Sequence, residues 1–264
     1  ISIHSFIGLL LIYRMKSLLS KYLLLTLIVF CTLQTGCEDI DSSPNTSKYT
    51  YYDDISDITY LNSSFYTTNY DLSGNAGEQI DLIVYNIVDT ETVMNNKFSL
   101  GLNGQGYLSI TNDGNDLYLQ SRSNYNIFKI SNTGEIAYLS SDTLDTKWLP
   151  SGLTYNSSND SLVFLYRNTE KNNQYRLREV SKLLSEQSKN DREFVLNGLD
   201  TTVYGALCIA YKEPNLYVLA FDGQEDVLIT MDYSSLNLIS NESVNDSTAV
   251  GIDIVNNSIY LSYR

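Results

Sequence analysis

Carboxylates are the main side chains here that could carry out acid–base chemistry or bind a metal. The 264 residues include 31 Asp and Glu, but only one histidine and three cysteines. The histidine, His4, precedes Met15, which we take as the natural translation start. We therefore do not expect Ser-His-Asp or Cys-His catalysis, or zinc or iron bound by histidine, in the mature protein.

Two short segments combine Asp and Gly with other side chains that carry oxygen, as calcium-binding loops do. They are "NDGND" at residues 112–116 and "FDGQED" at residues 221–226. Neither has a glutamate at the spacing that an EF-hand needs. Each also joins two predicted strands, where these residue types commonly form hairpin turns. We predict turns at both places, and Asp113 and Asp116 remain alternative ligands for Ca²⁺.

A charged and then apolar segment marks the start of the chain. Lys16 and Lys21 accompany a nearly continuous apolar run over residues 18–33. Its uninterrupted part, residues 22–33, is shorter than the roughly 20 residues that span a bilayer. The pattern predicts a signal peptide over residues 15–36. Residues 1–14 contain no methionine, and we interpret them as upstream over-extension of the reading frame. A membrane-lying amphipathic helix is the alternative.

The segment "QTGC" at residues 34–37 directly follows this apolar run. It resembles the lipobox of bacterial lipoproteins, in which a small residue precedes a cysteine that receives diacylglycerol. The resemblance implies cleavage after Gly36 and acylation of Cys37 by diacylglycerol and fatty acids such as palmitate. Leu33 lies one place earlier than the leucine usual in that family. An ordinary signal peptide with an incidental cysteine is the alternative.

The residues that follow Cys37 suit an anchored protein. Residues 37–48 are polar and contain Pro44, so they are predicted to form a tether. Acyl chains contribute about 0.8 kcal/mol per buried methylene, which holds a domain at a membrane. The acidic "EDID" after the cysteine resembles signals that send some lipoproteins to the cell exterior. We expect the protein in a bacterial cell envelope, at the outer membrane or cell surface.

The net charge restricts the possible partners. Three basic residues and no acidic ones lie in residues 1–36, so removing this segment changes the net charge from −14 to −17. Such an acidic domain repels phosphate backbones and anionic headgroups, so no nucleic-acid partner is expected and the lipid must provide the anchoring. Cys208 would then be the only cysteine besides Cys37, which excludes an intrachain disulfide framework.

A two-strand phrase recurs along the chain. Copies begin at residues 55, 106, 152, 205 and 251, and a glycine stands before the first strand in the last four. The centres of the second strands are 52, 45, 54 and 43 residues apart: Tyr66, Tyr118, Val163, Tyr217 and Tyr260. An average spacing of about 48 residues is typical of propeller blades.

Room for two further strands lies between consecutive phrases, with period-two alternation and Asn, Asp or Gly turns. Residues 175–189 favour a strand followed by a short helical turn. We predict an all-β domain over residues 49–264, with repeated four-stranded antiparallel blades. It resembles the NHL-like and TolB-like propellers, and a β-sandwich is the alternative. Four units and two strands are present. Either residues 48–54 complete the last blade or, as we favour, the chain is part of a larger propeller.

The resemblance to propellers gives two carboxylates a possible role. In that family the first strand of each blade lines the central channel, which would place Asp57 and Asp253 near the axis. Together they could bind Ca²⁺ or form an acid–base pair, or each could merely cap a strand.

The favoured function is a lipid-anchored envelope protein whose propeller binds a protein or a glycan and has no catalytic activity or cofactor. A calcium-dependent hydrolase or lyase, resembling the propeller lactonases, is the second hypothesis. A truncated propeller remnant is the third.

Overall fold

The computed structural model describes eleven segments of the unit formed by residues 51–264. They are residues 55–69, 79–88, 91–103, 108–121, 125–131, 134–141, 146–171, 173–182, 190–197, 206–244 and 249–263. These segments form antiparallel strands and turns only. None of them provides a helix long and apolar enough to cross a membrane.

The strands belong to five sheets in chain order. Sheet 1 contains β1 (Ile55–Leu61), β2 (Ser64–Asn69), β3 (Gln79–Val88) and β4 (Glu91–Asn103). Sheet 2 contains β5 (Leu108–Asn112), β6 (Leu117–Ser121), β7 (Asn126–Ile130) and β8 (Ile136–Ser141). Sheet 3 contains β9 (Trp148–Asn156), β10 (Ser161–Asn168), β11 (Gln174–Ser181) and β12 (Asn190–Val195). Sheet 4 contains β13 (Ala206–Lys212), β14 (Asn215–Phe221), β15 (Asp226–Asp232) and β16 (Leu238–Ser243). Sheet 5 has two described strands, β17 (Ala249–Val255) and β18 (Ser258–Tyr263).

The first strands of the five sheets form a closed circle of contacts. β5 lies against β1 and β9, and β13 lies against β9 and β17. β17 also contacts β1, so the last sheet meets the first. Radial packing of separate antiparallel sheets is the arrangement of a β-propeller. The predicted all-β propeller is therefore confirmed and the β-sandwich alternative is wrong. Residues 48–54, considered above for the last blade, lie outside the described segments.

Apolar side chains fill the spaces between neighbouring sheets rather than a common centre. Leu82 and Leu119 belong to the cluster between sheets 1 and 2, and Leu219 and Ile252 to that between sheets 4 and 5. The middle strands bury both faces. In β10, Val163 points to sheet 4 while Phe164 points to sheet 2. This explains why their sequences are almost continuously apolar.

Glycines permit the close approach of two pairs of first strands. A Cβ on Gly152 in β9 would lie 3.0 Å from the backbone nitrogen of Ile209 in β13. A Cβ on Gly251 in β17 would lie 2.8 Å from Asp57 Cα and from the Ile58 nitrogen in β1. The contact at Gly251 is closer than real Cβ atoms come to backbone, and the one at Gly152 is tight enough to need a small shift. These two glycines were expected just before the first strand, and they lie within it, next to register irregularities in the pairing.

The predicted strands of the third repeat are confirmed as far as the described residues extend. "YRLREVS" forms most of β11, and "LVFLYRN" forms most of β10. The helical turn expected after β11 falls on residues 183–189, which lie outside the described segments.

Candidate functional site

Asp57 and Asp253 lie on adjacent first strands, at the junction of sheets 1 and 5. The backbone N–H of Ile252 donates to Asp57 Oδ1 at 3.3 Å. The N–H of Tyr60 donates to Asp253 Oδ2 at 2.6 Å, and the Thr59 hydroxyl donates to the same oxygen at 3.2 Å. Each carboxylate therefore binds the backbone of the opposite strand. Both act as cross-links that close the ring.

Two further contacts join the same two sheets. The Ser262 hydroxyl donates to the carbonyl oxygen of Ser56 at 3.3 Å, and the rings of Phe65 and Tyr260 lie 4.9 Å apart. We call this junction of β1 and β2 with β17 and β18 the seam. Burial raises the pKa of Asp253, against the lowering effect of its hydrogen bonds. Charge on Asp253 within the seam is thus a cost that the bound N–H groups offset only in part.

The predicted turn at "NDGND" is confirmed between β5 and β6. Asp113 Oδ1 accepts the backbone N–H groups of Asn115 and Asp116, both at 2.9 Å, while Gly114 has a φ of 90°. This positive φ is the left-handed conformation that glycine adopts without strain. The second segment, "FDGQED", forms the same kind of turn around Asp222 and Gly223.

Asp113 and Asp116 also meet two lysines, one from the next sheet and one from their own. Lys182 Nζ lies 3.2 Å from Asp113 Oδ2 and 2.9 Å from Asp160 Oδ1, so it connects sheets 2 and 3. Lys129 Nζ lies 2.6 Å from Asp116 Oδ2. Between these groups is a cleft of about 490 Å³. We call it the sheet 2–3 cleft; its lining residues are Asp113, Asn115, Asp116, Tyr118, Lys129, Leu139 and Lys182.

Hydrogen bonds fix the ionisation of these groups. Burial tends to raise the pKa of Asp113, but bonds from two backbone N–H groups, Lys182 and Tyr118 outweigh it, so the pKa is lowered. Bonds from Tyr155 and Lys182 also lower the pKa of Asp160. Burial and the neighbouring Asp160 raise the pKa of Tyr155 to about 12. At neutral pH these two carboxylates are charged and the phenol is not.

Sequence reasoning missed the partners in this cleft. Lys182 is 69 residues from Asp113, and Tyr155 belongs to a different repeat from Asp113. No local pattern connects them, because the contact depends on how two sheets pack. Lys129 was the easier residue to find, since it pairs across strands with Tyr118, two residues after Asp116 in the same sheet.

A buried carboxylate between sheets 3 and 4 was also missed. Glu179 on β11 is 6% exposed. Its Oε1 accepts bonds from the Asn156 amide at 3.2 Å, the Asn159 amide at 2.9 Å and the Ser161 hydroxyl. The Tyr233 hydroxyl of sheet 4 donates to Oε2 at 3.0 Å. Burial works against the charge, yet these bonds lower the pKa of Glu179 overall.

This lowered pKa predicts a loss of stability in acid. A carboxyl with a depressed folded-state pKa stabilises fully above its unfolded value, near 4.5, and loses that contribution as the pH falls through the folded value. Glu179→Gln should lower the free energy of unfolding by about 1–3 kcal/mol at pH 7. The amide nitrogen of the glutamine cannot accept the hydrogen bonds that one carboxylate oxygen of Glu179 accepts. The variant's free energy of unfolding should also fall less steeply than that of the wild type below about pH 4.5.

Urea unfolding between pH 7 and pH 3 measures both effects. Glu170→Gln, at an exposed turn in the same sheet, is the control for the loss of one carboxylate. Equal pH slopes for wild type and Glu179→Gln would contradict the assignment.

Within the described segments, no group of three or more His, Cys, Asp or Glu is placed to hold a metal ion. Cys208 is fully buried among Ala210, Leu219 and Ala249. Cys37 and Gly36, the predicted lipidation and cleavage positions, lie outside the described segments, as does all of residues 1–54.

The ring of sheets defines this chain as a β-propeller. No protein-family model matches the sequence, and no curated protein matches it. Solved structures with a similar fold include a nidogen/laminin complex, with 12% identity and a TM-score of 0.49 over 75% of this chain and 84% of the other. A luciferin-regenerating enzyme has 11% identity and a TM-score of 0.48, over 79% of this chain and 70% of the other. Virginiamycin B lyase from Staphylococcus aureus has 18% identity and a TM-score of 0.43, over 79% of this chain and 62% of the lyase.

Proposed function

We propose that this chain is a lipid-anchored protein of a bacterial cell envelope, and that its propeller binds a protein or a glycan without catalysing a reaction. Two parts of the molecule support this. The N-terminal segment combines an apolar run with Gly36 and Cys37, which supports acylation and export. The propeller presents a cleft between sheets 2 and 3 that is lined by two carboxylates and two lysines.

The way the carboxylates are used carries the binding proposal. Asp57, Asp253 and Asp226 each accept a backbone N–H from another strand, and Asp226 holds Ala249 at 2.8 Å. Asp113 and Glu179 each accept four or more hydrogen bonds. Of these five, Asp113 and Glu179 have lowered pKa values, which makes them weak general bases, since proton transfer works best near the operating pH. Asp113 lines the cleft between sheets 2 and 3, and its fixed ion pair with Lys182 suits recognition by a pre-organised surface.

The anchor is tested by substitution of the proposed lipid site. In bacteria that express the full chain, Cys37→Ser should abolish incorporation of radiolabelled palmitate. It should also move the protein from the membrane fraction to the soluble fraction, because the acyl chains supply the membrane affinity. Labelling followed by fractionation measures both.

Cys208→Ala is the matched control, and it should keep label and membrane association. Label retained on Cys37→Ser, or unchanged fractionation, would contradict the anchor. Stabilisation of the purified domain by millimolar Ca²⁺ would contradict the second part of the proposal and favour a calcium-dependent hydrolase or lyase, because a ligand that binds the folded state raises its stability.

A further inference from the structure

The sheet 2–3 cleft has the dimensions of a small-molecule site. Its volume of about 490 Å³ falls within the range of roughly 300–1,000 Å³ found for ligand pockets. Its walls come from strands and a tight turn, so their positions are set by the two sheets. Leu139 provides an apolar patch beside the charged groups.

The polar groups of the cleft are held in place before any ligand binds. Asp113 is fixed by two backbone N–H groups and by the Tyr118 hydroxyl at 3.1 Å. Lys182 is held between two carboxylates, and Lys129 is held by Asp116. Pre-organised groups lose little entropy on binding, which raises the affinity available from each hydrogen bond.

Two carboxylates and two ammonium groups line the cleft, so the local charge is balanced. The side chains of Lys129, Lys182 and Asp116 are 35%, 26% and 18% exposed, whereas that of Asp113 is 2% exposed. Asp160, beside the cleft, pairs with Lys182 as well. An anionic or a cationic ligand would meet a like charge within the same small space and would have to disrupt an existing ion pair.

We propose that the sheet 2–3 cleft binds a neutral glycan, an inference that rests on the proposed function. A sugar hydroxyl both donates and accepts hydrogen bonds, so neighbouring hydroxyls can donate to a carboxylate and accept from a lysine at the same time. Such bonds leave the ion pairs intact. The C–H face of the sugar ring can pack on Leu139.

Isothermal titration of the membrane-extracted full chain tests this, with maltotriose and chitotriose as neutral probes and trigalacturonic acid as the anionic probe. At least one neutral probe should bind, and the anionic probe should bind more weakly or not at all. Lys182→Met should lower the affinity about tenfold or more, because a hydrogen bond to a charged group contributes about 1.5–3 kcal/mol. Asn115→Ala, at an exposed cleft position, should lower it about two- to tenfold, because a neutral hydrogen bond contributes about 0.5–1.5 kcal/mol.

Lys171→Met is the control, since Lys171 is an exposed lysine of sheet 3 outside the cleft lining, and its affinity should equal that of the wild type. No heat with either neutral probe, preference for the acidic probe, or unchanged affinity in both cleft variants would overturn the glycan site. The glycan site would also be overturned if the wild type bound an envelope protein but no sugar, and if Asn115→Ala and Lys182→Met bound that protein equally well. The proposed function would stand in that case.

Discussion

Gly251→Ala should destabilise the propeller by about 3 kcal/mol, which is large against total stabilities of about 5–15 kcal/mol. The added Cβ would lie 2.8 Å from Asp57 Cα and from the Ile58 nitrogen, and it would also meet the Ser262 hydroxyl. Two of these three obstacles are backbone atoms of β1, so unlike the Ser262 side chain they cannot rotate aside. The strand itself must move, which lengthens the cross-links made by Asp57 and Asp253. The urea midpoint of unfolding measures this loss.

Gly152→Ala is the matched control for this prediction. Gly152 occupies the corresponding place between β9 and β13, but its added Cβ would lie 3.0–3.1 Å from its neighbours. A shift of a few tenths of an ångström relieves such a contact, so the expected cost is about 1 kcal/mol. If Gly251→Ala loses no more stability than Gly152→Ala, close contact between the backbones of β1 and β17 does not determine the packing of the seam.

Trp148→Ala should cost about 3–5 kcal/mol, as is usual when a buried large aromatic side chain is truncated. Trp148 begins β9, is 1% exposed, and packs in the cluster between sheets 2 and 3. The guanidinium carbon of Arg176 lies 4.3 Å from its ring, so the variant also loses a cation–π contact. Because this is the only tryptophan in the chain, circular dichroism rather than fluorescence should follow the unfolding.

Trp148→Phe separates packing from hydrogen bonding. Among the described residues, the buried indole Nε1 has no hydrogen-bond partner, which is itself a cost. Phenylalanine removes this donor and keeps most of the apolar volume, so a loss below about 1.5 kcal/mol is expected. A cost for Trp148→Phe close to that of Trp148→Ala would show that the prediction has the wrong cause.

Local pattern was enough to predict the strands and several turns of this fold. Period-two alternation and Asp-Gly turns act over a few residues, so the hairpin at Asp113 and strands such as β7 and β15 follow from neighbouring residues. The sequence shows a glycine at the start of the last four copies of the repeat. The role of such a glycine depends on which strand approaches it, and the sequence does not reveal that strand. Gly251 faces β1, almost 200 residues earlier in the chain.

The site was less predictable because its groups meet across sheets. Asp113 was found, yet its counter-ion Lys182 comes from the next sheet, and Glu179 meets Tyr233 only after sheets 3 and 4 pack together. Register irregularities within several sheets change which side chains face a neighbour, and alternation alone does not predict them. A site formed by such contacts between sheets therefore depends on the packing of the propeller and is not marked by a local sequence motif.

The seam has a consequence for the order of folding. Its hydrogen bonds join residues 193–206 positions apart, whereas each other interface joins consecutive sheets. The entropy lost in closing a loop grows with its length, so contacts between consecutive sheets can form before the first sheet meets the last. We therefore expect ring closure to be a late step of folding. We also expect the seam to separate first when the propeller unfolds.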